Sequence, residues 1–336
     1  MLNLDDTIFF ITLIIINFLF IKNYKYLGKK INIYDLPNEK RKIHKKPVPL
    51  LGGLIIYFNI LLLIIYIFFK DPLILLSTFK HTEFKGLFYL FIILTIIFLI
   101  GLYDDKYKIR PFVRLIGISI LIYFMIKIDQ QLLISQLKFT FSNSIINFDI
   151  GLIIFTFFCF LTLLISCNMS DGINLQSAFF YLINFSILYF IEQNLIIFII
   201  LFSLMIFIFL NFKGKIFLGD SGAYILSILL GFYYIKYYNL NGTLKADQIF
   251  LFLFFPVLDS MRCFGLRLLK GKSIFLADNT HFHHILLKKI GYFKTITILV
   301  IFYLLPLFPY LLDGEFISAF IFILLAYFLL IFKFRS

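Results

Sequence analysis

Two adjacent aspartates, Asp104 and Asp105, directly follow a run of leucine, isoleucine and phenylalanine. Three further carboxylates, those of Asp171, Asp220 and Asp259, also stand at or just inside the ends of apolar runs. Charged groups near membrane depth are costly and indicate function, although any one of them alone fits a helix cap equally well. Taken together, the five acids predict one shared cleft.

Carboxylates beside Lys and Arg are typical of a site for a divalent cation and a phosphate. Mg²⁺ prefers oxygen ligands, and Lys and Arg hold the remaining phosphate oxygens. Asp104 and Asp105 point about 100° apart on a helix, so we expect different roles for the two. Asp220 stands between Gly219 and Gly222 in "LGDSG", where it could be an N-cap or a metal ligand.

Three histidines follow in "DNTHFHHILLKKIG", which predicts a capped start and a short amphipathic helix that ends near Gly291. On such a helix His281 and His284 share a face, while His283 points elsewhere. Further zinc ligands at the usual spacing are not evident in the sequence. The pattern therefore favours phosphate contact or proton transfer over metal binding.

The elements that must position these groups are membrane spans. Of the 336 residues, 62% are hydrophobic and 15% are charged, below the charged fraction of about 25% in soluble domains. Apolar runs near the length of a bilayer-spanning helix indicate an all-α polytopic membrane protein with a single domain, 1–336, and about eleven spans. The expected spans are 7–21, 49–69, 86–103, 112–126, 151–167, 175–191, 194–212, 221–239, 247–268, 294–312 and 315–332.

The distribution of Lys and Arg predicts the orientation of these spans. Alternate segments carry 24 of the 31 basic residues, which places the N-terminus outside and the C-terminus in the cytoplasm. The net charge of +13 then reflects a basic face beside anionic lipid and does not require nucleic acid. All the candidate groups fall on that cytoplasmic face. The opposite segment 127–151 alternates loosely and predicts a short hairpin or surface strand.

Five segments in this order resemble the bacterial polyprenyl-phosphate N-acetylhexosamine-1-phosphate transferases of the glycosyltransferase family 4 type. They are "RKIHKKPVPLLGG", the Asp104-Asp105 pair, "NMSDGIN", "KIFLGDSG" and "DNTHFHH". The resemblance covers nearly the whole chain. It implies a cytoplasm-facing site in the bacterial inner membrane that uses Mg²⁺, with Mn²⁺ as an alternative, and a chain that is compatible with a homodimer. The implied substrates are a UDP-N-acetylhexosamine and undecaprenyl or another polyprenyl phosphate. The implied reaction releases UMP and is the first step in the synthesis of a cell-surface polysaccharide such as O-antigen.

The resemblance also implies roles for individual residues. Asp220 and Asp104 are the expected metal ligands. The expected catalytic residues are Asp104, Asp105, Asp171, His281, His283 and His284. The expected substrate-binding residues are Arg41, His44, Asn168, Asn174, Lys215 and Arg262.

Other features leave alternatives open. The "HFHH" form is similar to the branch that acts on UDP-GlcNAc or related amino sugars, whereas three consecutive histidines mark the peptidoglycan-type phospho-MurNAc-pentapeptide transferases. Asn174 and Gln176 depart from the usual acid and glycine, which leaves the sugar open, and Ala223 replaces a common serine. An intramembrane aspartyl protease fits poorly because Phe217 replaces a needed glycine. A transporter would place its ionisable groups near the bilayer midplane, where this chain is apolar.

Overall fold

A computed structural model describes residues 4–38, 44–70, 84–142, 144–275, 278–312 and 316–335. The helices are α1 (Leu4–Ile31), α2 (Gly52–Lys70), α3 (Phe84–Tyr107), α4 (Pro111–Ile128), α5 (Leu152–Met169), α6 (Gln176–Ile191), α7 (Leu195–Phe212), α8 (Gly219–Asn241), α9 (Ala246–Leu269), α10 (Phe282–Ile290), α11 (Tyr292–Leu304), α12 (Leu307–Leu311) and α13 (Phe316–Arg335). The strands are β1 (Tyr34–Asp35), β2 (Val48–Pro49), β3 (Gln136–Lys138) and β4 (Ile145–Asn147), and a 3₁₀ turn covers Gln130–Leu132.

Nine helical segments in the described part of the chain are long and apolar enough to cross a bilayer. They confirm an all-α polytopic membrane protein. Two of the eleven predicted spans, 175–191 and 221–239, form helices that are not among these nine. The first is only 16 residues long, and the second, α8, carries Asp220, Lys236 and five tyrosines. Most side chains of α8 are buried, so this helix does not need a lipid-compatible surface.

The chain forms two compact units. The first unit comprises residues 1–121 and 185–226, and the second comprises 122–184 and 227–336. The predicted single domain 1–336 remains a prediction.

In the first unit, α2 packs against α7 and α1 through a buried apolar stripe. The stripe contains one polar position, Asn59, which donates to Ser203 Oγ of α7 over 2.9 Å and exchanges hydrogen bonds with Asn17 of α1. Polar groups within apolar spans need such partners, and they fix the mutual register of the helices. These polar contacts hold α1, α2 and α7 together.

The start of α2 lies beside the start of α8. Strands β1 and β2 pair antiparallel. Leu50, directly after β2, forms a parallel β-bridge with Phe217. The amides of Gly52 and Gly53 donate to the carbonyl oxygens of Phe217 and Leu218, each over 2.9 Å. A side-chain carbon at Gly53 would stand 2.4 Å from the amide nitrogen of Gly222, so only glycine permits this approach. The segment "KIFLGDSG" is thereby attached to α2.

In the second unit, α5 packs against α9, and α10 packs against α11 and α13. The predicted hairpin is confirmed, because β3 and β4 pair antiparallel with Leu137 opposite Ile146. The hydroxyl of Tyr238 in α8 accepts from the Lys138 amide over 2.9 Å and donates to the Gln136 carbonyl oxygen over 2.7 Å. The hairpin is therefore fixed to the second half of α8.

Candidate functional site

The first candidate site lies in the first unit, where α3 ends. Asp104 is 3% exposed, and its Oδ1 accepts from the Ile109 amide over 2.7 Å. The chain turns sharply here through Lys108, which has a φ of +52°. The other oxygen of Asp104, Oδ2, pairs with Arg114 Nη1 from the first turns of α4. The turn between α3 and α4 thus places the Arg114 guanidinium beside Asp104, the aspartate that precedes the turn.

Asp220, in the first turn of α8, uses the same cation. Its Oδ2 lies 2.9 Å from Arg114 Nη1, so a single guanidinium nitrogen bridges Asp104 and Asp220. Two carboxylates this close repel each other unless a cation or a proton lies between them. The guanidinium meets that requirement in this structure.

Asp105 faces a different set of atoms. Its Oδ1 accepts from the Asp220 amide over 2.8 Å, while its Oδ2 accepts from the Ser221 hydroxyl over 2.9 Å and from the Ser221 amide over 3.3 Å. The expectation of different roles for Asp104 and Asp105 is thus matched by different contacts. The alternative of Asp220 as N-cap is wrong, because Asp220 lies inside α8 and Asp105 of α3 accepts from the first amides of that helix.

The acidic cluster fits a magnesium ion by the chemistry of its donors. Asp104 and Asp220 direct carboxylate oxygens at one cation, and Mg²⁺ takes oxygen ligands, often one or two carboxylates together with phosphate oxygens. The Asp220 side chain is 30% exposed, which leaves one side of the cluster open to a ligand. A metal ion and a phosphate could thus be held here.

The second candidate site lies in the second unit, around Asp259 of α9. Asp259 Oδ1 accepts from Arg262 Nη2 over 2.7 Å, from the Tyr327 hydroxyl over 2.7 Å and from the Phe282 amide over 3.0 Å. Its Oδ2 lies 2.8 Å from His281 Nδ1. One carboxylate therefore joins α9 and α13 to the first residue of α10.

These contacts set the charges of two histidines. Burial is the largest single effect and lowers the pKa of His281, but the hydrogen bonds and charge interactions with Asp259 and Cys263 together outweigh burial and raise this pKa to about 9. Burial, followed by the neighbouring His284 and His281, lowers the pKa of His283 well below its usual value. His281 is therefore protonated at neutral pH, and His283 is neutral.

The predicted arrangement of the histidines on the helix is wrong. His281 has extended backbone angles and precedes α10, so the helical spacing that would pair it with His284 does not apply. Its ring instead stacks on that of His283, with centroids 5.5 Å apart and planes 14° apart. The predicted amphipathic helix itself is confirmed, and it ends at Ile290 before Gly291.

The loop between α5 and α6 meets the histidine segment. A side-chain carbon at Gly172 would stand 2.0 Å from His283 Nε2, so the ring packs directly on this loop. Asp171 Oδ1 accepts from the Ser177 hydroxyl over 2.5 Å, and Tyr292 donates to the Asn174 carbonyl oxygen over 3.2 Å. The "NMSDGIN" and "HFHH" segments, with Asn168 in the first of them, thus come together in the second unit.

Asp259, Cys263 and His281 also offer three donor atoms within 4.8 Å of one another. Arg262 Nη2 already lies 2.7 Å from Asp259 Oδ1 and 3.4 Å from Cys263 Sγ. Since a guanidinium supplies the positive charge there, this cluster is a hydrogen-bonded network rather than a second metal centre.

The remaining predicted residues are placed as follows. His44 Nε2 lies 3.5 Å from Asp35 Oδ2, and its ring contacts Phe217, three residues before Asp220. Lys215 stacks over the Tyr24 ring at 5.3 Å. Arg41 lies outside the described residues. His44 and Lys215 are thus near the "KIFLGDSG" segment or part of it.

Two arginines were missed by the sequence analysis. Arg114 stands one turn inside a predicted span, so the rule that ionisable groups at membrane depth indicate function would have found it, had that rule been applied to bases as well as acids. Arg267 is buried and donates to Asp278 over 2.9 Å and to the Ile274 carbonyl oxygen over 2.7 Å. The same rule would have found it, because it stands at the end of the predicted span 247–268.

Comparisons with known proteins agree with these motifs. Residues 87–238 match the family described as glycosyl transferase family 4, a range that includes Asp104, Asp105, Asp171 and Asp220. The chain is 29% identical to an undecaprenyl-phosphate alpha-N-acetylglucosaminyl 1-phosphate transferase of Thermotoga maritima, over 87% of this chain and 85% of the relative.

Two further relatives carry similar names. A probable undecaprenyl-phosphate N-acetylglucosaminyl 1-phosphate transferase of Bacillus subtilis is 26% identical over 83% of this chain and 76% of the relative. The undecaprenyl-phosphate alpha-N-acetylglucosaminyl 1-phosphate transferase of Escherichia coli K12 is 25% identical over 83% of this chain and 75% of the relative. The comparisons thus support the family that the ordered motifs resemble, the polyprenyl-phosphate N-acetylhexosamine-1-phosphate transferases.

Proposed function

We propose that this protein transfers N-acetylglucosamine 1-phosphate from UDP-GlcNAc to undecaprenyl phosphate and releases UMP. The names of its relatives support this substrate pair. The observation that carries the proposal is the convergence of Asp104 and Asp220 on one cation, because a diphosphate substrate needs a site of this kind.

In the proposed reaction, a phosphate oxygen of the lipid attacks the β-phosphorus of UDP-GlcNAc. The bond from that phosphorus to the bridging oxygen breaks, and UMP leaves with this oxygen. Asp104 and Asp220 would hold Mg²⁺, which neutralises phosphate charge when it is bound. Arg114 is placed to exchange its carboxylate partners for phosphate oxygens. Such reactions depend chiefly on positioning and charge stabilisation.

The histidine cluster contributes a second, separate positive charge. His281 is protonated because Asp259 holds its Nδ1, and its Nε2, which lies 3.4 Å from Arg267 Nη2, would bind a phosphate or sugar oxygen together with that arginine. The buried His283 ring lies between those of His281 and His284, so His284 continues the cluster. Asp171, Asn168 and Asn174 would line the nucleotide site with the α5–α6 loop. Neutral His283 packs on this loop and would therefore order it.

The other predicted substrate contacts remain part of the proposal. Arg41 would bind phosphate oxygens, as would His44 and Lys215, which lie beside or in the "KIFLGDSG" segment. Arg262 donates through Nη2 and Nε to Asp259 and Tyr327, which leaves Nη1 for a substrate oxygen.

The setting of the enzyme is part of this proposal and is supported by the bacterial relatives and by the distribution of Lys and Arg. We place it in the bacterial inner membrane, with the N-terminus outside and the site facing the cytoplasm, where it would begin a cell-surface polysaccharide. Mg²⁺ is the expected cofactor, with Mn²⁺ as a substitute, and a homodimer is compatible with this arrangement.

The test is UMP release by purified protein supplied with Mg²⁺, undecaprenyl phosphate and a panel of UDP-sugars. UDP-GlcNAc should be the best donor, and chelation of Mg²⁺ should stop the reaction. A preference for UDP-MurNAc-pentapeptide would indicate the peptidoglycan-type activity instead. Absence of UMP with every amino-sugar nucleotide would overturn the proposal.

Asp220→Asn is the decisive variant. It removes a charged oxygen from the cation site, and we expect turnover to fall by about 10³-fold or more while the protein remains folded. Asp149→Asn is the matched control, because Asp149 is an exposed aspartate outside the acidic cluster. Full activity in Asp220→Asn would remove this residue from the metal site.

A further inference from the structure

We propose that Asp105 is a positioning residue, which caps α8 and orients Asp220, and that the metal ion belongs to Asp104 and Asp220. This division of roles rests on the proposed function and deepens it. It assigns different tasks to two neighbouring acids that the motif alone treats as equivalent.

The first support is that both oxygens of the Asp105 carboxylate already accept hydrogen bonds. Its two oxygens accept three hydrogen bonds, two from the backbone amides of Asp220 and Ser221 and one from the Ser221 hydroxyl. The first amides of a helix have no partner within the helix, and a carboxylate there is further stabilised by the helix dipole. Asp105 therefore supplies from α3 the cap that α8 lacks in its own sequence.

The second support is the closeness of the two backbones. Gly219 has a φ of +77°, and a side-chain carbon there would stand 2.6 Å from Asp105 Oδ2. A side-chain carbon at Gly101, one turn earlier in α3, would stand 2.4 Å from the Ser221 Cα. The glycines bring α3 against the start of α8, so the Asp105 carboxylate reaches backbone amides.

Asp104 differs in its partners. One oxygen accepts from the Ile109 amide, and the other pairs with Arg114, the cation that also binds Asp220. A metal ion can replace this guanidinium between Asp104 and Asp220. At Asp105 a metal ion would have to displace the amides that begin α8, which would disrupt the helix start.

The test compares metal binding with turnover. Mn²⁺ binding to purified protein, without substrates, is measured by electron paramagnetic resonance for the wild type, Asp104→Asn, Asp105→Asn and Asp220→Asn. We expect Asp104→Asn and Asp220→Asn to lose Mn²⁺ binding. Asp105→Asn should retain one Mn²⁺ per chain and lose about 10–100-fold in kcat, as expected for a residue that supports a ligand.

A double-mutant cycle separates capping from a general loss of structure. Ser221→Ala removes one of the three bonds to Asp105, and its effect on kcat should be less than additive with that of Asp105→Asn. Asp105→Asn keeps an acceptor oxygen, so it should retain more activity than Asp105→Ala. If Asp105→Asn does not fold, Ser221→Ala alone should lower kcat and leave Mn²⁺ binding intact.

Each outcome is decisive. Loss of Mn²⁺ in Asp105→Asn as complete as in Asp220→Asn would make Asp105 a ligand and overturn the inference, as would strict additivity with Ser221→Ala. Mn²⁺ retention in Asp104→Asn would also overturn it. Failure of the wild type to release UMP would instead reject the proposed function, and failure of the wild type to bind Mn²⁺ would reject both.

Discussion

Arg114 is the residue on which the charge balance of the acidic cluster depends. Its guanidinium lies between Asp104 and Asp220, two carboxylates that repel each other without it. Breaking a buried ion pair by removing one partner is costly because it leaves an uncompensated charge. The same charge can be supplied by a divalent cation.

We therefore expect Arg114→Gln to destabilise the metal-free protein by about 2 kcal/mol, less than for a fully buried pair because Arg114 is partly exposed. Millimolar Mg²⁺ should restore more stability to this variant than to the wild type, because the ion replaces the lost charge. The chain has no tryptophan, but its free cysteines allow unfolding to be followed with a thiol-reactive dye. Arg110→Gln, at a nearby exposed arginine, is the control and should show neither effect.

His281 gives a pH dependence of known sign. Its folded pKa, about 9, lies above the ordinary value of about 6.5, so the pairing with Asp259 stabilises the protein fully below about pH 6.5. That stabilisation is lost as the pH rises through about 9. The melting temperature of the wild type should fall between neutral pH and about pH 9.5. In His281→Gln this part of the fall should be absent, and an identical fall in both proteins would contradict the assignment.

At the scale of elements, glycines determine how closely helices approach around the acidic cluster. Gly53 of α2 touches the start of α8, and Gly101 of α3 touches it at Ser221. Helices packed backbone to backbone fix the position of Asp220 more firmly than long side chains could. Activity should therefore depend on glycines that contact no substrate.

Gly53→Ala tests this dependence. Its methyl group would stand 2.4 Å from the Gly222 amide nitrogen and 2.5 Å from Ser221 Oγ, so α2 must shift away from α8. We expect a destabilisation of about 1–3 kcal/mol and a loss of UMP release. Gly117→Ala in α4 is the matched control, because its methyl group would meet its nearest atom at an ordinary 3.8 Å. That variant should be stabilised by about 0.5–1 kcal/mol with unchanged activity.

At the scale of the whole molecule, the distribution of basic residues predicts the orientation in the membrane. Lys270 and Lys272 belong to a basic segment that should face the cytoplasm, whereas Ser144 belongs to the hairpin that should face outside. The hairpin is held in place by Tyr238, which hydrogen bonds to Lys138 and Gln136 of β3.

Single cysteines in a chain without its native ones can test the orientation. An impermeant maleimide should label Ser144→Cys in intact cells and Lys272→Cys only in inverted membrane vesicles. Both positions are exposed, so a difference in labelling reports the side of the membrane. The reverse pattern would contradict the predicted orientation.

The sequence by itself determined the features that depend on neighbouring residues. Hydropathy identified the membrane helices, alternation identified the 127–151 hairpin, and ordered motifs indicated the family that the comparisons support. These signals are local because helix and strand periodicity repeat within a few residues. The same local reasoning misplaced His281 relative to His284, since it assumed that His281 already lies in the helix, whereas the helix begins at Phe282.

Only the tertiary structure decided which charges meet. Asp104, Arg114 and Asp220 are brought together across more than a hundred residues, and Asp105 caps a helix that begins at Gly219. Asp259 similarly joins Tyr327 to the histidine segment. Such contacts follow from the packing of distant helices and leave no periodic trace in the sequence, which is why the acids were predicted and their partners were not.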